Sequence, residues 1–236
     1  MIIPVYQPLG SSTHKLAQKV GERTNTKATH TGTLDPMAEG VVIVLTEEDR
    51  FQKGNLSSWK KTYDFQIIWG ISTDTHDLLG VIDQISYTQD IHFSKLYQYQ
   101  TAFIGKQSQK IPHFSAKRKT EEQYSDITIF DLVHTQTNLL PIQTVLNQIN
   151  KVIPKLTNDF RQGMISDQWN TFISSLPQKE ETLFIITSHT AITSKRTYIR
   201  QLVQDLSLKM NIPATTFHIN RTANGPYTTK DCICLI

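Results

Sequence analysis

Cysteine is scarce. Cys232 and Cys234, one residue apart, are the only two in 236 residues. A disulfide framework is excluded, and a reducing cytoplasmic setting fits. Two such ligands with no second pair, and no H-E-x-x-H, leave no metal site to expect. Glycine is thinly spread as well, at 10, 21, 32, 40, 54, 70, 80, 105, 163 and 225, never closer than eight residues. A Rossmann fingerprint needs spacings of two and three, and a Walker A loop needs five, so no motif-encoded nucleotide cofactor is expected. No apolar run exceeds Val41–Leu45, which excludes a membrane-spanning helix. Met1 to Tyr6 is apolar but lacks the charged start and long apolar core of a signal peptide.

What is present is an ordinary globular balance of 38% hydrophobic and 19% charged residues, enough for one or two domains. The net charge of +3 is uneven. Residues 120–193 hold four basic and eight acidic side chains, against 20 and 13 in the remainder. The densest basic stretch is Lys106, Lys110, Lys117, Arg118 and Lys119, with His113 and Phe114 inside it. Cations interleaved with an aromatic suit a phosphate backbone with exposed bases, although a solvated loop has the same composition.

Apolar spacing predicts helices over 12–23, 94–105, from Pro141, over 167–176 and over 198–210. It predicts strands over 41–46, 61–71, 81–87, 127–133 and 183–187, with Tyr63, Phe65, Ile67 and Trp69 sharing one face. Residues 27–40 and 72–80 read as loops. Strands and helices mix without regular alternation, which favours an α+β fold.

The stretch Thr29-His-Thr-Gly-Thr-Leu-Asp35-Pro36-Met-Ala-Glu-Gly40 feeds the buried strand that follows it. Proline holds the preceding residue extended, so Asp35 is set either to present a carboxylate to a cleft or merely to make a turn. The residues alone permit both. Tyr63 can be core or site, and Arg200 can be a surface residue of its helix or a partner for a carboxylate.

This stretch resembles the catalytic loop of the TruB family of tRNA pseudouridine synthases. Lys61-Thr-Tyr63 resembles that family's K-x-Y segment. Gly70-Ile-Ser-Thr-Asp-Thr-His-Asp77 resembles its G-x-x-T-D-T-x-D turn, and Ser194-Lys-Arg-Thr-Tyr-Ile-Arg200 its S-K-G-T-Y-I-R segment. Fainter similarities lie at Arg50-Phe51, at 111–117 and at Arg221-Thr-Ala-Asn-Gly-Pro-Tyr-Thr. The resemblance covers roughly residues 1–133 and 183–231.

It implies a pseudouridine synthase fold: a mixed, mostly antiparallel sheet flanked by helices, with the active-site cleft across it. It implies that uridine 55 in the T-loop of tRNA is isomerised without cofactor or metal. The N-glycosidic bond breaks, the base turns, and it rejoins through carbon 5. By resemblance Asp35 is the catalytic carboxylate, acting as nucleophile or base. Arg200 is the cation that favours its charged form, and Tyr63 is the active-site aromatic, able to stack on the base or reach the carbon 5 proton. His30 would brace the flipped-out nucleotide. Thr31, Gly32, Asp77, Lys117, Lys195 and Tyr198 would bind substrate.

Four departures stand out. No C-terminal PUA domain is recognised, so a single catalytic domain over 1–236 is expected. Arg196 replaces a glycine, at a cost of roughly 1 kcal/mol or more if the position needs positive φ. Gln7 replaces a lysine before Pro8. A segment at about 136–176 has no recognised counterpart; it carries two helices in the acidic zone and is expected to face away from RNA. The leading expectation is a monomeric tRNA pseudouridine(55) synthase. The alternatives are a catalytically weak tRNA-binding or tRNA-folding protein on the same scaffold, or a synthase acting on another RNA.

Overall fold

A computed structural model describes residues 1–86, 93–115, 122–176 and 182–234. The strands are β1 (Ile2–Gln7), β2 (Ala28–His30), β3 (Ala38–Thr46), β4 (Lys61–Trp69), β5 (Ile71–Thr73), β6 (Ile82–Ile85), β7 (Gly105–Lys110), β8 (Tyr124–Pro141), β9 (Leu183–Thr193), β10 (Ala214–Asn224) and β11 (Tyr227–Thr228). The helices are α1 (Thr13–Thr24), α2 (Lys53–Leu56), α3 (Phe93–Ala102), α4 (Ile142–Val152), α5 (Gln162–Ser175) and α6 (Ile199–Met210).

Period-two alternation on β4 builds the centre. Tyr63, Phe65, Ile67 and Trp69 all turn to one face and are buried there. Each such side chain contributes about 1.5–3 kcal/mol by leaving water. They meet the apolar stripes of α1, α3 and α6, with Val42 and Val44 of β3. The alternate residues Val41, Ile43 and Leu45 face the other way, toward Leu56 and Trp59. The principal sheet runs β1-β3-β10-β4-β9-β8-β7, with β2 on β3 and β11 on β10. Its pairings are antiparallel except β3 with β10, so the sheet is mixed and mostly antiparallel. Gly40 sits at that parallel junction with φ +115, where an added Cβ would lie 2.3 Å from the Arg221 carbonyl oxygen; no other residue fits.

The outlines differ from the sequence expectation in definite ways. The loop at 27–40 contains β2, and β3 begins at Ala38. Helix α3 stops at Ala102, because Gly105 already opens β7. Strand β8 extends well past Val133, paired with β9 from Ile129 to Pro141. Helix α5 starts at Gln162, five residues early, behind an Arg161 in the left-handed region rather than a recognisable capping residue. The 81–87 strand is β6; its expected end at Tyr87 lies outside the described residues, as does the side chain of Ser94.

The segment at 136–176 forms the end of β8, then α4 and α5. Ile142, Val145, Leu146 and Ile149 keep helical spacing, and with Ile165 and Trp169 they bury against Ile68, Leu78 and Leu79. The segment thus packs on the back of the turn between β5 and β6. Among the described residues no helix is long and apolar enough to cross a membrane.

Candidate active site

The loop between β2 and β3 carries Asp35, and it is fixed by buried polar contacts. The Thr13 hydroxyl donates to Gln7 Oε1 at 2.6 Å and accepts from the Leu34 N–H at 2.9 Å. Gln7 Nε2 donates to the Ser11 carbonyl at 3.2 Å, and the Gly10 N–H to the Pro36 carbonyl at 2.8 Å. Gln7 is fully buried and uses its amide as donor and acceptor together. A lysine has no acceptor, so the substitution at this position supports a contact that lysine cannot make.

Asp35 is 30% exposed at its side chain, and its Oδ2 accepts from Arg200 Nε at 2.9 Å. Arg200 lies on the first turn of α6, off the Ile199–Leu202–Leu206 stripe, yet is only 3% exposed. The surface alternative therefore fails. Its Nη1 donates to the Thr75 carbonyl at 2.7 Å, its Nη2 to the Phe114 carbonyl at 3.0 Å, and Asp77 Oδ2 stands 3.5 Å from Nε. Every side of the planar fork is used. Burial works against the guanidinium charge, but Asp35 and Asp77 outweigh it and keep it firmly protonated.

Asp77 does not line the cleft. It is buried behind Arg200, its Oδ1 accepting from the Thr75 hydroxyl at 2.8 Å and the Leu79 N–H at 2.9 Å. Burial pushes its carboxyl above the usual range; Arg200 opposes this and Asp35 adds to it.

In front of the Asp35–Arg200 pair opens a cleft of about 530 Å³. Asp35, Tyr63, Tyr198, Lys195, His30, Thr31 and Gly32 line it, so seven of the expected site residues converge there. Arg200 and Asp77 stand behind it, and Lys117 lies outside the described residues. No residue of 136–176 lines it. Tyr63 is paired in the sheet with Arg221 of β10 and Ala191 of β9, so it is both a core residue and a wall of the cleft. Burial, with the charges of Lys53, His14 and Arg221, pushes His30 down to about 4, so its ring is neutral at pH 7. Its buried Nδ1 has no hydrogen-bond partner among the described residues. Burial, then the Asp35 charge, raises the Tyr198 phenol.

Lys53, Lys61, Arg196 and Arg221 also line the cleft, though the motifs did not single them out as site residues. Buried Arg221 donates from Nε to the Val41 carbonyl at 2.6 Å and from Nη2 to the Gly32 carbonyl at 3.2 Å, tying loop to sheet. Lys61 is buried too, and its Nζ donates to the Ser57 and Trp59 carbonyls, each at 2.6 Å. Burial, with Arg221 and Lys195, pushes it down to about 8. Only the K-x-Y and Arg221 similarities hinted at these two, and nothing in the sequence marks Lys53. Arg196 does adopt positive φ, +67, where the family has glycine. Among the described residues no group of three His, Cys, Asp or Glu side chains could hold a metal ion.

A model described as the TruB family pseudouridylate synthase N-terminal domain matches residues 18–132, and relatives match beyond that span. "tRNA pseudouridine synthase B" of Thermosipho melanesiensis is 26% identical over 97% of this chain and 65% of its own length. That of Bacillus subtilis is 25% identical over 98% of this chain and 67% of its own. The protein of that name from Mycoplasma mobile is 29% identical over 84% and 59%. The chain is similar to the TruB family over nearly its whole length. It spans about two thirds of the length of these TruB relatives. Two solved structures share the fold. A Cbf5-Nop10-Gar1 complex matches at TM-score 0.64 and 18% identity, covering 99% of this chain and 52% of that one. An H/ACA RNP bound to a substrate RNA containing 2'-deoxyuridine matches at TM-score 0.60 and 16% identity, covering 99% and 50%.

Proposed function

We propose that the protein isomerises uridine to pseudouridine in tRNA, at position 55 of the T-arm, as a cofactor-independent intramolecular transfer. One observation carries the reading: a partly exposed carboxylate, Asp35, held by a buried arginine at the wall of a cleft that it shares with Tyr63. The names of the TruB relatives supply the substrate class.

In this reading Asp35 attacks the sugar or base, the N1–C1′ bond opens, the base turns, C5 bonds to C1′ as the bond to Asp35 breaks, and the C5 proton passes to a base in the cleft or to solvent while N1 takes one up. Arg200 holds the carboxylate charged and aimed. The Tyr63 ring stacks on the base, and its hydroxyl, which no described residue engages, faces the C5 proton. Neutral His30 braces the displaced nucleotide, and Thr31, Gly32, Lys195 and Tyr198 shape the pocket. Lys117 binds phosphate, and Asp77 supports Arg200 from behind. In this reading the protein acts as a monomer through a single catalytic domain.

Tritium release from tRNA containing 5-tritiated uridine tests this. Wild type is expected to release tritium. Asp35→Ala is expected to release none while binding tRNA within about threefold of wild type, since a removed catalytic group costs turnover rather than affinity. Release by Asp35→Ala at the wild-type rate overturns the assignment. Tight tRNA binding with no release by wild type points to a binding protein or another RNA substrate.

A further inference from the structure

The segment at 136–176 could be explained as packing alone. Trp169 Nε1 donates to the Gly80 carbonyl at 3.2 Å, and Gln168 both accepts from the Ile82 N–H at 2.7 Å and donates to the Ile82 carbonyl at 3.0 Å. Arg161 does something that packing does not require. It stands just before α5 with φ +62, a conformation that costs any side chain but glycine, and its N–H is held by Asp159 Oδ1 at 2.9 Å. That turn sends the side chain back toward the catalytic half of the molecule.

There its guanidinium donates twice to Asp74, Nη1 to Oδ2 at 2.6 Å and Nη2 to Oδ1 at 3.1 Å. Its Cζ lies 4.6 Å from the centre of the Phe114 ring. Asp74 immediately precedes Thr75, whose carbonyl takes Arg200 Nη1, and the carbonyl of Phe114 itself takes Nη2. One cation from the 136–176 segment thus grips both of the chain segments whose carbonyls aim Arg200.

We infer that Arg161 is a positioning residue for the Asp35–Arg200 pair, and that the 136–176 segment serves the reaction by locking the frame around Arg200. This rests on the proposed isomerisation. The Arg161–Asp74 pair is 31% exposed on each side, so its contribution to global stability is small. Its forked, stacked geometry instead restricts where two backbone carbonyls can sit. Asp74 Oδ1 also accepts from the Val81 N–H at 2.9 Å, so the turn keeps an anchor when Arg161 is removed and the fold survives.

The test measures single-turnover tritium release, tRNA affinity, thermal melting and the Arg200 Nε–H signal in ¹⁵N spectra, assigned by its loss in Arg200→Lys. Arg161→Ala is expected to slow release by about tenfold or more, with affinity within about threefold, little change in melting, and a shifted or broadened Arg200 Nε–H signal. Arg161→Lys keeps the charge but not the fork and is expected to restore only part of the rate. Phe114→Leu is expected to slow release too, and to add little on top of Arg161→Ala, because the two act through one frame. A rate within about twofold of wild type with an unmoved signal overturns the inference, as does a loss confined to affinity or melting. If wild type releases no tritium, the proposed reaction fails instead, and the Arg200 signal still decides whether Arg161 positions the pair.

Discussion

The two walls of the cleft are built on opposite plans. On the carboxylate wall Asp35 is bonded to Arg200, Arg200 is bonded on all sides, and the loop beneath rests on Thr13 and buried Gln7. On the open wall the side chains of Lys195 and Arg196 make no hydrogen bond or ion pair with any described residue, although both line the cleft. Arg196 moreover sits in a strained backbone conformation. The contrast separates two tasks. A group that must act on a developing charge gains from being fixed before the ligand arrives, because no reorganisation is then needed at the moment of reaction. A group that neutralises phosphate gains from having its donors unused until the ligand supplies an acceptor.

Damage to the fixed wall should therefore spread into the fold. Arg200→Ala leaves Asp77 buried without its cation and is expected to lower unfolding free energy by roughly 3–5 kcal/mol in urea titrations, besides abolishing tritium release. Arg200→Lys, which keeps charge without the fork, should recover more stability than rate. If Arg200→Ala unfolds like wild type, the wall is not held as described.

Tyr63→Phe sharpens the comparison within one residue. Its ring belongs to the core, and its hydroxyl to the cleft. Stability should stay within about 1 kcal/mol, because no described partner loses a bond. The rate should fall by about a hundredfold, the usual scale for a proton-transfer group. An unchanged rate would remove the hydroxyl from the chemistry.

A pH titration separates the walls from the core behind them. Burial, with the nearby His134 charge, pushes His189 down to about 3; it lies between β4 and β8, with Nε2 2.7 Å from the Thr187 hydroxyl. The unfolded chain takes up that proton near pH 6.5, and the folded chain refuses it until about 3. Stability is thus whole above 6.5 and declines as pH falls toward 3, by up to about 1.4 kcal/mol per pH unit from this group. His30, lowered to about 4, acts in the same direction. Chemical denaturation at pH 7 and pH 5 should show the decline, and His189→Gln should flatten it.

How much of this was legible in the sequence follows from what each residue contacts. The α+β class, the alternation of β4 and the stripe of α6 come from local periodicity and were readable. Asp35, Tyr63 and Arg200 were readable through the motifs. Strand β10 was not: Thr215, Thr216, Arg221 and Asn224 are buried polar residues, so a central strand carries no apolar signature. Strand β7 was missed for the opposite reason, being a polar strand at the sheet edge. The grip on Arg200 uses backbone carbonyls of Thr75 and Phe114, which side-chain patterns cannot announce. Arg161 lay hidden because its partners are about 50 and 90 residues away, and only tertiary structure joins them.

The smallest expected effect probes the open wall, and it runs in two directions at once. Arg196 has φ +67, and a glycine there would adopt that conformation freely. Arg196→Gly should therefore stabilise the fold by up to about 1 kcal/mol, offset in part by the greater freedom of glycine in the unfolded chain. It should also remove one cation from the cleft. If that cation meets a phosphate, log affinity against log salt should flatten by about 0.7–0.9, and turnover at saturating tRNA should hold. Lys195→Ala should flatten the slope likewise with no gain in stability, since its backbone carries no such strain. A stability gain with an unchanged salt slope would mean that arginine stands there without touching RNA. A flattened slope with a fallen single-turnover rate would mean that the open wall also takes part in aligning the base, and the division between the walls would fail.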